Sequence, residues 1–279
     1  MSKMFAGIAI LVFSSFLAAQ GIQVTSSDIT DYRSSKSYSG KLEVRLIISG
    51  DLKNCRGLRK ANLTKAVDDS GKDLLITKKD ESQHHSMYDF NKLYGEQLET
   101  RIELKSPARK SKIIQEISGT LEVHYPDAKS KQIVKGFMKQ TGKPLIIPAL
   151  KKSKGQLSVL NKTQFEALKK QQEEAEASKK QNLGDVMMTT LSSLFSGFFS
   201  MEENDLLISV SDPTNQIVDV EFQNAAGEPI ETLSRSVQGD NIIYSFDTPP
   251  PDDAQLVVYT ATTASIKKVP FSVKNVTLP

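Results

Sequence analysis

Residues 78–95 read KKDESQHHSMYDFNKLYG and bring Asp80, Glu81, His84, His85 and Asp89 close together in the chain. Carboxylates and imidazoles in one short stretch are the groups that hold a transition metal, and an exported metal-dependent hydrolase would use them to activate water. The spacing argues against that use. Adjacent histidines on a strand point to opposite faces, so His84 and His85 reach one ion only from a loop. The remaining histidine, His124, sits in a strand pattern far along the sequence. A polar hairpin loop is the commoner use of such a stretch, so no metal and no cofactor is expected. The same loop carries Tyr88, Phe90 and Tyr94. Aromatic rings on a loop can stack on a sugar or fill a partner's pocket, and the alternative is that they plug the open end of a β-sandwich.

Cys55, the single cysteine, lies in LKNCRGLRK. Lys53, Arg56 and Arg59 are near enough in sequence to lower a thiol pKa and make it reactive; the alternative is a small residue at a strand end. It has no cysteine partner, so the fold must stand on its core. The chain holds no GxSxG elbow, no glycine-rich phosphate loop, no HExxH and no CxxC. DDSGKD is too short for an EF-hand loop and reads as a turn. The sequence therefore points to a non-enzymatic protein. Three glycosylation sequons, at Asn62, Asn161 and Asn275, matter only in a eukaryotic secretory pathway.

Several elements must position these groups. Residues 1–19 read as a secretory signal peptide: Lys3 is the charged region, MFAGIAILVFSSFLAA the apolar run, and Ala18 and Ala19 the small residues before cleavage. Export, to the periplasm or beyond, is expected. Residues 20–40 read as a Ser-rich leader or a loosely attached strand. From Lys41, KLEVRLIISG alternates, with Leu42, Val44, Leu46 and Ile48 on one face. EQLETRIEL, IIQEISGTLEVHYP and KQIVKGF follow as strands. DLLISVSD, QIVDVEFQNAAGEPIETL, NIIYSFD, AQLVVYTA and KKVPFSVKNVTLP repeat the grammar. Many short strands without intervening long helices predict a mainly β fold of two sandwiches. The first spans 41–143 and the second 144–279, with a helical insertion at 163–200.

A weak internal repeat accompanies this division. KAVDDSGKDLL and EFQNAAGEPIE both place Asp or Asn three residues before a Gly, the spacing of a hairpin turn. GTLEVHYPDAKSKQIVKGF and AQLVVYTATTASIKKVPF align Leu121 and Val123 with Leu256 and Val258. In the insertion, Thr163 and Glu166 form a capping box that starts a helix near Gln164, supported by Glu166–Lys170 and Glu176–Lys180 pairs. A second segment, DVMMTTLSSLFSGFFS, puts Leu191, Leu194, Phe195, Phe198 and Phe199 on a broad apolar helical face with Leu183, Val186 and Met187. It is short for a membrane span and lacks the basic residues of a surface helix, so a protein cover is expected.

Charge divides unevenly behind a net +3. Residues 101–154 hold 13 Lys or Arg against 4 acidic residues, and 201–279 hold 12 acidic against 4 basic. The two halves could dock on each other, or the basic one could face an anionic polymer or membrane. Nucleic acid is not expected, because the lysines lack interleaved aromatics and no recognition module is present. The hairpins around DDSGKDLL and NAAGEPI and the closing VPFSVKNVTLP resemble secreted bacterial proteins of unassigned function built from two immunoglobulin-like sandwiches. That resemblance implies the fold and no catalytic residues. The functional expectation is binding of a protein partner or cell-envelope component through loops or the inter-domain surface. Tyr88, Phe90, Tyr94 and the 183–199 face are the candidate contacts.

Overall fold

The computed structural model describes residues 21–32, 40–76, 91–92, 96–177, 200–238 and 241–279. They form a mainly β fold of four antiparallel sheets with one α-helix, divided between two compact units.

The first unit contains β1 (Ile22–Tyr32), β2 (Lys41–Gly50), β3 (Gly57–Asp68), β4 (Asn91–Lys92), β5 (Leu98–Lys105), β6 (Ile113–His124) and the last strand, β14 (Ile266–Thr277). One sheet has the order β1-β2-β5 and the other β14-β6-β3-β4. The alternation of β2 does what its period predicts: Leu42, Val44, Leu46 and Ile48 are fully buried. They share one core with Ile117, Leu121 and Val123 of β6 and with Val269, Phe271 and Val273 of β14. Within 20–40, expected as a leader or a loosely attached strand, Ile22–Tyr32 form a strand paired along β2. Its pattern escapes the period-2 test because a bulge between Ser26 and Asp28 shifts the alternation, and because its outward face is polar.

The second unit contains β7 (Lys131–Lys135), β8 (Gln156–Asn161), β9 (Asp205–Ser211), β10 (Ile217–Gln223), β11 (Ser234–Gln238), β12 (Asn241–Ser245) and β13 (Gln255–Thr260), with α1 (Lys162–Ala177) after β8. Its sheets run β11-β12-β9-β8 and β10-β13-β7. Phe222 centres the core, edge-on to Tyr244 and Phe246 with ring centroids 5.0 Å away in each case. The capping box of α1 is Asn161 with Gln164, not Thr163 with Glu166. The Gln164 amide donates to Asn161 Oδ1 at 3.0 Å, and the Asn161 amide donates to Gln164 Oε1 at 3.2 Å. The helix starts earlier than expected because β8 ends at Asn161, whose side chain is free to cap at once. Phe165 and Leu168 then cover Leu160, Leu207 and Ile243 on the outer face of that sheet.

The division between units does not follow the sequence at residue 143. The chain leaves the first unit after Tyr125, forms the second unit from 126 to 265, and returns to the first for β14. As a result β7 pairs with β13, and β14 pairs with β6. Along the chain, β7 follows β6 of the first unit, and β14 follows β13 of the second. The registers correspond at a constant offset of 135: Pro270 lies opposite Thr120, and Lys135 opposite Gln255.

The connections correspond too. In the first, the Asp127 amide donates to Ser130 Oγ at 2.8 Å and the Ser130 amide donates to Asp127 Oδ1 at 2.7 Å. In the second, the Thr262 amide donates to Ser265 Oγ at 2.9 Å and the Ser265 amide donates to Thr262 Oγ1 at 3.0 Å. The Leu121/Leu256 and Val123/Val258 alignment is therefore structural.

The other repeat is a turn built twice. Gly71 and Gly227 take φ +81 and +86, which glycine adopts at little cost. Asp68 Oδ1 accepts from the amides of Ser70 and Lys72, both at 2.9 Å. Asn224 Oδ1 accepts from those of Ala226 at 3.0 Å and Glu228 at 2.9 Å. The expected second hairpin strands shrink to the single bridges Val67–Asp73 and Gln223–Pro229. Asp68 does more than its counterpart: Oδ2 accepts from the Ala108 amide at 2.8 Å and the Ser111 hydroxyl at 2.7 Å. Burial pushes this carboxyl up, but the Ser70 hydroxyl, the Ala108 amide, the Ser111 hydroxyl and the Lys72 amide together hold it well below the usual carboxylate range.

Two outcomes follow from these pairings. Ending the chain at Thr262 removes Val269, Phe271, Val273 and Val276, all buried, at about 1.5–3 kcal/mol each. That sum rivals the stability of a whole domain. Amide exchange should show β3 and β6 deprotected in the truncated chain and protected again on adding a peptide of residues 263–279; unchanged protection would refute the exchange as a support of the first unit. Asp68→Asn keeps the Oδ1 bonds but presents an NH2 where Oδ2 accepts two, costing about 3 kcal/mol in urea unfolding. Because the folded-state pKa is depressed, the wild-type contribution is complete above about pH 4 and fades as pH falls toward the folded value. The variant should lack that part of the acid dependence.

Candidate functional site

The sequence candidates separate sharply. Tyr88, Phe90, Tyr94, Leu191, Leu194, Phe195, Phe198 and Phe199 all lie outside the described residues, as do Asp80, Glu81, His84, His85 and Asp89. His124 ends β6 in a fully buried position, where its carbonyl accepts the Arg56 amide at 2.9 Å. Among the described residues no cluster of His, Cys, Asp or Glu is arranged to hold a metal, and no helix is long and apolar enough to cross a membrane.

Cys55 belongs to the core of the first unit and is 8% exposed. The neighbouring cations do not activate it. Burial pushes its thiol up to about 11, against smaller opposing effects from the Gly57 backbone and the Lys267 charge. Arg59 pairs instead with Glu122.

A shallow polar hollow on the first unit is lined by Asp28, Thr30, Tyr32, Glu43, Arg45 and Arg101. It lies on the outward face of β1, β2 and β5, where directly opposed residues carry like charge: Lys41 faces Lys105, Glu43 faces Glu103, and Arg45 faces Arg101. The side chains reach diagonally instead. Lys41 meets Glu103 at 2.6 Å, Arg101 meets Glu43 at 3.4 Å, and Arg45 meets Glu99. The hollow's cations are thus paired within the sheet, and as solvated pairs they contribute little stability each.

The second unit presents a different surface. From β7 the chain enters a 3-10 turn, Phe137–Gln140, with Phe137 fully buried, and emerges beside β8. There the Gly142 amide donates to the Val159 carbonyl at 2.7 Å and the Leu145 amide to the Leu157 carbonyl at 2.8 Å. The stretch thus runs from the edge of one sheet to the edge of the other and forms one flank of the unit.

On this flank lie Lys129, Lys131, Lys135, Lys139, Lys143, Lys151, Lys152 and Lys154, all exposed. None of them forms an ion pair among the described residues. The one acidic residue between 126 and 161, Asp127, accepts from the backbone of Lys129 and Ser130. Asp252 and Asp253 border the flank near Gly136.

Residues 146–156 form a loop whose ends are tied at Leu145 and Leu157. Ile147 and Leu150 enter the core, while a second 3-10 turn, Pro148–Leu150, and the Ser153 hydroxyl, donating to the Leu150 carbonyl at 2.9 Å, fix the backbone. Ile146 points the other way and is 85% exposed; Ile133 of β7, between Lys131 and Lys135, is 48% exposed. Sequence reasoning passed over both isoleucines. LIIPAL reads as one apolar run, and only the in–out–in order of Leu145, Ile146 and Ile147 within it carries the signal.

No protein-family model matches the chain, and comparison with characterised proteins and with solved structures found no match.

The buried thiol gives a direct check. With its pKa raised from 9.0 to about 11, the thiolate fraction at pH 7 is roughly 100-fold lower than for a free thiol. A thiol-specific reagent should label Cys55 in native protein at least a hundredfold more slowly than in denaturant. Equal rates would show an accessible, activated thiol.

Proposed function

We propose that the chain is an exported, non-enzymatic binding protein that holds an anionic cell-envelope component on the lysine-rich flank of its second unit. The observation that carries this reading is eight exposed lysines on one stretch of chain without ion-pair partners among the described residues. Unpaired like charge raises the self-repulsion of a folded unit, and an anionic ligand relieves it. In the hollow of the first unit, charge meets charge within the sheet; on this flank it is left facing outward.

An immunoglobulin-like architecture for both units forms part of the proposal. The sheet orders β8-β9-β12-β11 and β10-β13-β7 support it, since they follow the four-plus-three strand arrangement of constant-type domains, with β7 as the closing strand. The orders β1-β2-β5 and β14-β6-β3-β4 fit the same scheme, with β14 in that place. The export reading rests on the charged, apolar and small-residue order of residues 1–19.

Soluble polyphosphate is a suitable anionic probe. Wild-type protein should bind it with an affinity that falls as salt rises, because the contacts are exposed and screened. Replacing Lys143, Lys151, Lys152 and Lys154 with Gln should raise the dissociation constant at least tenfold while leaving the thermal unfolding temperature no lower than wild type. Binding that ignores both salt and these four substitutions would sink the reading.

A further inference from the structure

Electrostatic capture alone does not call for everything on this flank. Ile146 stands 85% exposed within the lysine-rich loop, and Ile133 repeats the arrangement between Lys131 and Lys135. Residues 126–161 contain eight lysines but no arginine, and their one aromatic residue, Phe137, is fully buried. Proteins that grip individual phosphates or bases use the planar arginine fork and stacked aromatic faces. Ammonium groups on flexible stems suit a diffuse layer of phosphate, and an aliphatic side chain among them suits the apolar layer beneath it.

We propose that this flank docks on the surface of an anionic lipid bilayer. Ile146 enters the boundary between headgroups and acyl chains, while Lys143, Lys151, Lys152 and Lys154 lie at the level of the lipid phosphates. The inference rests on the reading of the flank as an anion-binding surface and names its partner. The loop arrives ready for the task. Ile147 and Leu150 are anchored in the core and the Leu145–Leu157 hydrogen bond closes the ends, so presenting Ile146 requires little further ordering. Residues 183–199 carry no basic residue; the 146–156 loop joins cations and an apolar tip on one element. One aliphatic side chain and a handful of lysines make a reversible peripheral attachment, dependent on lipid charge.

The chain has no tryptophan, so Ile146→Trp installs a reporter against a silent background. The full chain is used throughout, which keeps residues 1–20 and 183–199 common to every sample. With vesicles of phosphatidylcholine containing about a third phosphatidylglycerol, the emission of Ile146→Trp should shift to the blue and be quenched by brominated acyl chains. Pure phosphatidylcholine should give neither change. Ile146→Ser should weaken binding to the anionic vesicles about tenfold and leave polyphosphate binding as it was. The Lys143, Lys151, Lys152 and Lys154 to Gln variant should lose several hundredfold on vesicles, at about fivefold per lysine.

If Ile146→Ser binds anionic vesicles like wild type and the reporter stays in water, while the lysine variant fails on both ligands, the bilayer proposal falls and the anion-binding reading stands. If the lysine variant binds both ligands like wild type, both fall.

Discussion

A strand buried inside a fold must pair its backbone donors and acceptors on both sides, and such a strand left open on one side is both a polar liability and a template for aggregation. In this chain that requirement is met by exchange: β6 is completed by β14 and β13 by β7. Among the described residues the second unit is one continuous stretch, residues 126–265, but the first is not: its core closes only when β14, which follows the second unit in the chain, returns to it. The rest of the fold serves that arrangement. The two connections are fixed by the same reciprocal Ser capping, and the two registers match residue for residue at one offset. The buried faces of the closing strands, Val134 in one unit and Val269, Phe271 and Val273 in the other, belong to the cores they complete.

The paired turns show how one backbone solution tolerates two chemistries. Asn224 and Asp68 accept the same two amide hydrogens and stand before glycines of nearly equal φ. Asn224 spends its second group locally, donating from Nδ2 to Glu228 at 2.8 Å. Asp68 instead gathers the Ala108–Ser111 segment with its second oxygen. Both side chains close the turn; only the acid also ties down a distant stretch of chain.

Much of the β architecture was legible because burial writes a period of two into strands such as β2 and β6. Of the strands that escaped, β1 and β8 did so for physical reasons. A bulge interrupts β1, and β8 is buried on both faces over Leu157–Leu160, which leaves no alternation to detect. The exchange of closing strands was beyond reach, since period and turn chemistry report which face a strand buries and not which strand it joins. The aligned Leu121/Leu256 and Val123/Val258 pairs held the needed correspondence without the pairing. For the candidate site, the charge asymmetry was readable and the exposed isoleucines were not, because hydropathy does not distinguish Ile146 from its buried neighbours Leu145 and Ile147.

The order of the strands along the chain also sets an order in time. Synthesis produces β6 first, then the whole second unit, and only afterwards β14. At ordinary elongation rates the wait is on the order of 10–30 s, long compared with the collapse of a small domain. Throughout that interval the first unit has an open edge beside an unfinished core, so the part made first is finished last. A holding factor, or passage through a channel in an extended state, would protect that edge until β14 arrives.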